Sequence, residues 1–302
     1  MHKGAILLSR IVTAGVFAVL LAAMPVLLRA DARGLRLEWS AAVEAIGRYI
    51  RGLGTGESFL FRTGSTEHAF WEEIGGYAWT SFSYAAAAAI LGLAIGITAG
   101  LALARTRRAW LKLAVELLSL VPDFLVIVWL QFIVVLIYKK TGVLLAKVGS
   151  TSSDDPAFLL PLVSMTLIPI LYMMRSVAVH AYQVLGEDYV LHAKAKGLPK
   201  LYTYVHHVLP NALPFIKAEV HKIAAIIVGN LFIMEYLFNL RGITKLLLSS
   251  GYASSRWQAG VLSGYQLPLT ANCLAAFMLL YACLYGLMRG CIWLLERRFA
   301  RE

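Results

Sequence analysis

Long runs of apolar residues recur along the whole chain, and they restrict its fold more than any other feature. A helix needs roughly 20 apolar residues to cross a bilayer, and runs near this length lie at 11–28, 77–104, 113–138, 158–177, 223–238 and 267–294. Hydrophobic residues make up 59% of the chain and charged residues only 15%, unlike a soluble domain. The sequence therefore predicts an all-α membrane protein with about six transmembrane helices.

The apolar runs divide the chain into three predicted regions. Residues 1–30 are expected to form a retained first transmembrane helix, although their basic start and apolar centre also fit a signal peptide. Residues 31–76 are polar and glycine-rich, which predicts an extracytoplasmic segment with one short helix at 40–50 and a flexible remainder. Residues 77–302 are expected to form the transmembrane core.

A short basic turn indicates which way the chain crosses the cell membrane. Arg105, Arg107, Arg108 and Lys112 follow the second apolar run. Short loops rich in lysine and arginine stay on the cytoplasmic side. With six spans, both termini are then predicted to be cytoplasmic as well. The net charge of +11 fits this topology and contact with lipid head groups, and no nucleic-acid-binding pattern accompanies it.

The sequence between the fourth and fifth apolar runs is a polar, basic island with strong local structural signals. A short helix is predicted at 187–196, because acidic residues begin it and basic residues end it, as the helix dipole favours. Gly197 suits the left-handed conformation that ends a helix, and Pro199 suits the first turn of the next one. The prediction is a helix, a sharp turn and a second helix, exposed for docking to another protein or resting on anionic lipid.

The same island resembles the cytoplasmic "EAA" loop of binding-protein-dependent ABC importer permease subunits, in the peptide/nickel (oligopeptide/dipeptide) subfamily with the type I importer fold. The matching residues are Glu187, Asp188, Tyr189, Val190, Ala193, Lys194, Ala195, Lys196, Gly197 and Leu198, followed by His206, Leu209, Asn211, Ala212 and Leu213. Leu191 and His192 depart from the broad consensus of glutamate and alanine. The resemblance implies that residues 179–217 form a coupling loop whose first helix inserts into a groove on an ATPase subunit.

The resemblance continues from about residue 77 to residue 246 and is weak outside that range. Its members include Pro122, Phe124, Leu160, Pro161, Pro169, Tyr172, Arg175, Gly229, Glu235, Phe238, Gly242 and Leu246. The chain departs from the family pattern at Asp123, Arg241 and Thr244, and again at 255–257.

The resemblance also implies the partners. They are two ABC ATPase subunits that bind ATP and Mg²⁺, a second permease subunit, homologous or identical, and an extracytoplasmic solute-binding protein. The 31–76 segment would face that protein or be a solvated insertion. The chain itself is expected to be a transport subunit without catalytic residues or a cofactor. The solute, a peptide, a nickel chelate or another small polar compound, is left open.

Four residues are candidates for the translocation pathway: Pro122, Asp123, Gln131 and Glu235. A carboxylate inside a membrane helix is costly unless it faces a partner or an aqueous cavity, so Asp123 either lines such a cavity or makes a structural hydrogen bond between helices. Glu235 either pairs with a cationic group of the solute or anchors a helix end. Arg175 is interpreted as a residue at the membrane boundary, whose side chain extends from the helix towards the membrane surface.

The distribution of cysteines and histidines argues against an enzyme. The three cysteines fall in the last apolar run and five of the seven histidines lie at 180–221, at spacings that give no metal site. No phosphate-binding glycine-rich motif for ATP is found. The rival function is an ion-coupled secondary transporter that uses Asp123, Glu219 and Glu235; it would require inverted repeats, which the sequence lacks, and it leaves the docking loop unexplained.

Overall fold

The structure is a computed structural model that describes residues 2–31, 34–106, 108–152, 155–250 and 264–299. Within these ranges, six helical stretches are long and apolar enough to cross a membrane: Ser9–Leu27, Phe70–Arg105, Asp123–Thr141, Leu159–Val184, Lys200–Leu237 and Leu267–Phe299. The predicted all-α membrane fold is confirmed. Arg107, Ser255, Arg256 and Trp257, used in the sequence argument, lie outside the described residues.

The helices in chain order are α1 (His2–Leu27), α2 (Trp39–Thr55), α3 (Phe70–Arg105), α4 (Ala109–Leu118), α5 (Asp123–Thr141), α6 (Leu159–Val184), α7 (Asp188–Ala195), α8 (Lys200–Thr203), α9 (Leu209–Leu237), α10 (Ile243–Ser250) and α11 (Leu267–Phe299). A 3-10 turn covers Glu57–Phe59 and a π-helical segment covers Tyr204–Val208. Several helices are longer than the predicted apolar runs, because the helical backbone also includes polar residues at the helix ends.

One predicted span was wrong in an instructive way. The run 113–138 is not a single helix but is divided between α4 and α5, with Pro122 at the cap before α5 (φ −59°, ψ 141°). Proline has no backbone N–H and its ring clashes with the preceding turn, so a helix starts after it more easily than it runs through it. Asp123 is therefore the first residue of α5 and does not lie in the interior of a helix, and the helix dipole favours a carboxylate at that position.

The contacts divide the chain into two units, and α3 and α11 each contribute to both. Unit 1 comprises residues Met1–Ser81 and Arg241–Leu279. Within it, α1 packs against α2, and a cluster of Ala22, Ala23, Tyr49, Leu267 and Ala271 forms its core. The predicted helix at 40–50 is confirmed as part of α2.

The remainder of the 31–76 segment was predicted to be flexible, but two antiparallel hairpins are built there. One pairs β1 (Leu28–Asp31) with β2 (Gly34–Leu37), and the other pairs β3 (Leu60–Thr63) with β4 (Thr66–Ala69). The side-chain amide of Gln266 makes two hydrogen bonds of 2.7 Å with the backbone of Arg62 on β3: its Oε1 accepts from the Arg62 N–H, and its Nε2 donates to the Arg62 carbonyl. Long-range tethers of this kind leave no periodic signal in the sequence.

A buried polar chain gives unit 1 a specific internal arrangement. The Tyr49 hydroxyl donates to Asn272 Oδ1 (2.9 Å), Asn272 Nδ2 donates to the Ser58 carbonyl (2.8 Å), and the Ser58 hydroxyl donates to the Tyr49 carbonyl (2.7 Å). Burial raises the pKa of the Tyr49 phenol. Because buried polar groups are costly when unpaired, these three hydrogen bonds hold α2 and α11 in one register.

Unit 2 comprises residues Phe82–Leu240 and Leu280–Glu302 and contains the predicted functional residues. In it α6 packs along α9, and both contact α5. The Lys217 ammonium lies 2.7 Å from the Glu296 carboxylate, which links α9 to α11. Buried apolar side chains such as Met165, Met173, Ile216 and Ile223 fill the centre.

Three glycines on a four-residue spacing allow α3 to approach α6 closely. A Cβ atom placed on Gly92 would lie 3.0 Å from Pro169 Cβ, and one on Gly96 would lie 2.6 Å from Met173 Cβ. In lipid there is no hydrophobic force between helices, so close contact of small residues is a main source of association. The absence of side chains at these glycines is therefore what permits the close contact between α3 and α6.

We expect Gly100→Ala to destabilise the protein by about 1–3 kcal/mol, as overpacking does. The added Cβ would lie 2.7 Å from Val177 Cβ and 2.8 Å from the Met174 carbonyl oxygen, a backbone atom that cannot rotate away. Gly286→Ala on α11 is the matched control, because a Cβ there meets none of the described atoms within 4 Å. Thermal unfolding in detergent measures the difference; equal melting temperatures for the two variants would contradict this packing account.

Candidate functional site

The loop between α6 and α9 has the predicted helix, turn and second helix. Helix α7 begins after Glu187, which is in an extended conformation (φ −71°, ψ 146°), and Asp188 lies in its first turn. Pro199 is the cap residue before α8, one position earlier than predicted. The expected acidic start and basic end are confirmed, with His192 and Lys194 in the last turn of α7.

A left-handed glycine ends α7. Gly197 has φ +74°, and its N–H donates to the Lys194 carbonyl (3.0 Å), while Leu198 N–H donates to the Ala193 carbonyl (3.3 Å). These two bonds form a Schellman motif, which satisfies carbonyls that the helix end would otherwise leave free. In the part of the chain that the structure describes, no atom within 4 Å would meet a Cβ on Gly197, so glycine is required there by backbone conformation and not by crowding.

One face of α7 is anchored in unit 2. Val190 (0% exposed) and Ala193 (5%) pack in a cluster with Ala104 of α3, Ala181 and Val184 of α6, and Val208 of the π-helical segment. The small side chains allow the short helix to lie directly on the ends of the longer helices. Movement of α7 is thereby mechanically linked to α3, α6 and the start of α9.

The other face of α7 is open to solvent. Tyr189 is 43% exposed and Leu191 is 49% exposed, while Asp188, His192, Lys194, Ala195 and Lys196 are exposed as well. Burial, and then the nearby Glu187 carboxylate, raise the pKa of the Tyr189 phenol, so the phenol remains a neutral hydrogen-bond donor. A shallow cavity of about 400 Å³ is lined by Asp188, Tyr189, His192, Ala193, Lys196, Leu198 and His207.

A second cavity, of about 480 Å³, lies among α4, α5, α6 and α9 of unit 2. Asp123 and Ser119 line it from the break between α4 and α5, and Arg175 and Tyr172 line it from α6. Glu219 of α9 also faces it; its carboxylate accepts a hydrogen bond from the Tyr172 hydroxyl and lies 3.0 Å from the Lys222 ammonium. The structure thus brings Asp123 and Arg175 to one space.

The remaining pathway candidates are apart from this cavity. Pro122 caps α5. The Gln131 amide donates to the carbonyls of Val148 (2.9 Å) and Leu237 (3.3 Å), which ties α5 to neighbouring segments. Glu235 is 1% exposed in α9, so it is enclosed by protein.

Sequence reasoning did not recognise Ser119, Ser176 and His180 as cavity residues. Tyr172, Arg175, Ser176, Val179 and His180 all line the cavity, and their spacing of three and four residues places them on one face of α6. That polar stripe on an otherwise apolar helix was the available signal. No group of three or more histidine, cysteine or acidic side chains within the described ranges is arranged to hold a metal ion.

Comparison with known proteins gives consistent results. The family described as "Binding-protein-dependent transport system inner membrane component" matches residues 92–300. A putative peptide transport system permease protein of Brucella suis is 26% identical over 180 residues, covering 56% of this chain and 56% of that protein. The dipeptide transport system permease protein DppB of Bacillus subtilis is 27% identical over 176 residues, covering 56% of this chain and 54% of that protein.

A nickel import system permease protein, NikB of Staphylococcus aureus, is 25% identical over 166 residues, covering 53% of this chain and 47% of that protein. The matches therefore span about half the length of these relatives. Their names agree with the subfamily that the resemblance indicated. Among solved structures, a chain of the MetNI methionine ABC transporter in an inward-facing conformation is similar in fold, with a TM-score of 0.56 at 15% identity, covering 74% of this chain and 97% of that one.

The family match covers more than half of the 302 residues, and it includes the loop and both cavities. With the six membrane-spanning stretches, it makes this a multi-pass protein of the cell membrane. The chain belongs to the family of binding-protein-dependent transport system inner membrane components.

Proposed function

We propose that this chain is the permease subunit of an ATP-driven ABC importer for peptides, similar small polar solutes or nickel chelates. The observation that carries the proposal is the loop described above, in which a short helix is held on the ends of the membrane helices by one face and is exposed on the other. Such a helix suits a contact that must transmit force from another protein. The names of the relatives, which include peptide, dipeptide and nickel permeases, support the solute classes.

The partners follow from this role. ABC ATPase subunits would bind ATP and Mg²⁺ and contact the exposed face of α7, so that hydrolysis takes place on another chain. A second permease subunit, homologous or identical, would complete the pathway, and an extracytoplasmic solute-binding protein would deliver the solute. With both termini on the cytoplasmic side, the 31–76 segment lies on the side of that binding protein.

The proposed mechanism is a population shift between inward-open and outward-open states. The ATPases favour one state only if they contact α7 differently in their nucleotide-bound and nucleotide-free forms. The surface that contacts the ATPases is formed by Glu187, Asp188, Tyr189, Lys194, Ala195 and Lys196. Val190 and Ala193 hold the helix on the bundle, and Gly197 and Leu198 set its angle to α8. Displacement of α7 then tilts α6 and α9, the helices that line the larger cavity.

Among the pathway candidates, we propose direct contact with the solute for Asp123, because its carboxylate lines the cavity. Pro122 positions that carboxylate by starting α5. The two hydrogen bonds of Gln131 and the burial of Glu235 support a role for these residues in holding helices together. An ion-coupled secondary transporter is not favoured, since the family match and the loop both remain unexplained by it.

We expect Gly197→Val to reduce ATP-dependent uptake about tenfold while leaving membrane insertion intact. A β-branched residue in the left-handed conformation is strained by about 1–2 kcal/mol, enough to change the balance of two loop conformations by roughly tenfold. Gly142→Val is the matched control. Gly142 also ends a helix with φ +72°, and a Cβ there would meet no atom of the described residues within 4 Å, but it follows α5, away from the loop. Equal uptake by the two variants would refute the coupling role of α7.

Tyr189→Ala should weaken the association with the ATPase subunits by about 2 kcal/mol or more if this side chain is an interface anchor. The fold should remain stable, since Tyr189 is 43% exposed. Leu144→Ala serves as control, because Leu144 is 58% exposed in the connection before α6, at the other end of that helix. Co-purification measured at increasing detergent stringency gives the result; unchanged retention of the ATPases by Tyr189→Ala would remove this residue from the interface.

A further inference from the structure

The larger cavity has an unusual charge arrangement for a space between membrane helices. Opposite the polar stripe of α6 lies the break between α4 and α5, with Ser119 and Asp123, and α9 contributes Glu219. Its volume of about 480 Å³ is in the range of small-molecule sites, roughly 300–1,000 Å³. Arg175 lies nine residues before the end of α6 at Val184, about 14 Å of helix away from the loop.

Only part of this charge is neutralised by the protein. Glu219 is satisfied by the Tyr172 hydroxyl and the Lys222 ammonium. Asp123 and Arg175 make no hydrogen bond or ion pair through their side chains with any of the residues that the structure describes. A carboxylate and a guanidinium therefore face the same space, each without a partner among the described residues.

A third polar group at the cavity is also unsatisfied. His180 stacks on Phe215 with ring centroids 4.6 Å apart and planes 13° apart. Its Nδ1 atom is buried and, within the described ranges, has no hydrogen-bond partner. Buried polar atoms without partners are rare and call for an explanation. Unpaired charges on membrane helices are costly unless they face water or a ligand, and a ligand that contacts both Asp123 and Arg175 would explain these two groups together.

We propose that this cavity is a binding site for zwitterionic solutes, with Arg175 receiving the anionic group and Asp123 the cationic group. Guanidinium donors match a carboxylate in a bidentate geometry, and a carboxylate at the start of α5 accepts hydrogen bonds from an ammonium. A solute with a single charge leaves either Arg175 or Asp123 unpaired, so the site discriminates against it. The inference rests on the proposed transport function and adds the substrate class and the residues that recognise it.

The test measures protection of an introduced thiol and does not depend on transport. Ser176→Cys places the thiol on the α6 stripe, in a chain whose Cys273, Cys283 and Cys291 are replaced by alanine. The full chain is kept in native membrane vesicles without ATP, and the rate of reaction with uncharged methyl methanethiosulfonate is followed. The probes are glycylglycine, N-acetylglycylglycine and glycylglycinamide, which are a zwitterion, an anion and a cation.

Glycylglycine should slow the reaction at lower concentration than either singly charged analogue. Arg175→Gln and Asp123→Asn should each raise the glycylglycine concentration needed for half-protection by about fivefold or more, the effect of losing one charge contact. Arg175→Lys and Asp123→Glu, which keep the charges, should restore part of the protection. Lys140→Gln, an exposed position near the end of α5, should change nothing.

Equal protection by the three probes, no protection by any of them, or unchanged protection in Arg175→Gln and Asp123→Asn would overturn the proposal. The reaction rate without probe, compared across variants, reports whether the cavity persists. ATP-dependent uptake in the same vesicles is measured separately. If the unmodified transporter shows no ATP-dependent uptake, the transport function is rejected. If uptake is intact but the introduced thiol is not protected as expected, only the zwitterion site is rejected.

Discussion

The contact between the glycine face of α3 and the side chains of α6 is the interaction on which unit 2 depends. Apolar side chains are as well solvated by lipid as by one another, so membrane helices associate through close packing of small residues and through polar contacts. Gly92, Gly96 and Gly100 provide that closeness against Pro169, Met173 and Val177. This packing places α6 where its end supports α7 and its middle presents the polar stripe.

The loop and the larger cavity share the same helices. Helix α7 rests on Ala181 and Val184 at the end of α6, and Arg175 lies further along that helix. On the other side, α8 continues through the π-helical segment into α9, which carries Glu219. In the proposed mechanism a force on α7 therefore reaches the cavity through α6, on which α7 rests, and through the continuous helical path of α8, the π-helical segment and α9.

The sequence predicted the features that have local causes. Apolar length marks each span, and the acidic start of α7, its basic end and Gly197 define a helix and its cap within a dozen residues. The break at Pro122 was misjudged because the apolar run continues on both sides of it, whereas the backbone responds to the missing N–H and the ring. The hairpins of the 31–76 segment were missed because contacts such as Gln266 with Arg62 join distant residues.

The same limit applies to the candidate site: its loop was predicted from local signals, whereas its cavity was not. The loop residues follow from a contiguous motif, so their positions agree closely with the structure. The cavity depends on which side chains come together from different helices. Asp123 and Arg175 line the same space, whereas Gln131 donates hydrogen bonds to backbone carbonyls and Glu235 is enclosed by protein. Burial and pairing of this kind are properties of the folded bundle, and a single sequence without its relatives does not contain them.

The most direct measurement for the central claim is affinity isolation of the full chain from its native membrane in mild detergent, with the associated proteins identified by mass. If the chain is the permease subunit of an ABC importer, an ATPase and a second permease subunit are recovered with it. Recovery of this chain alone, together with uptake that persists without ATP and follows an ion gradient, would contradict the account.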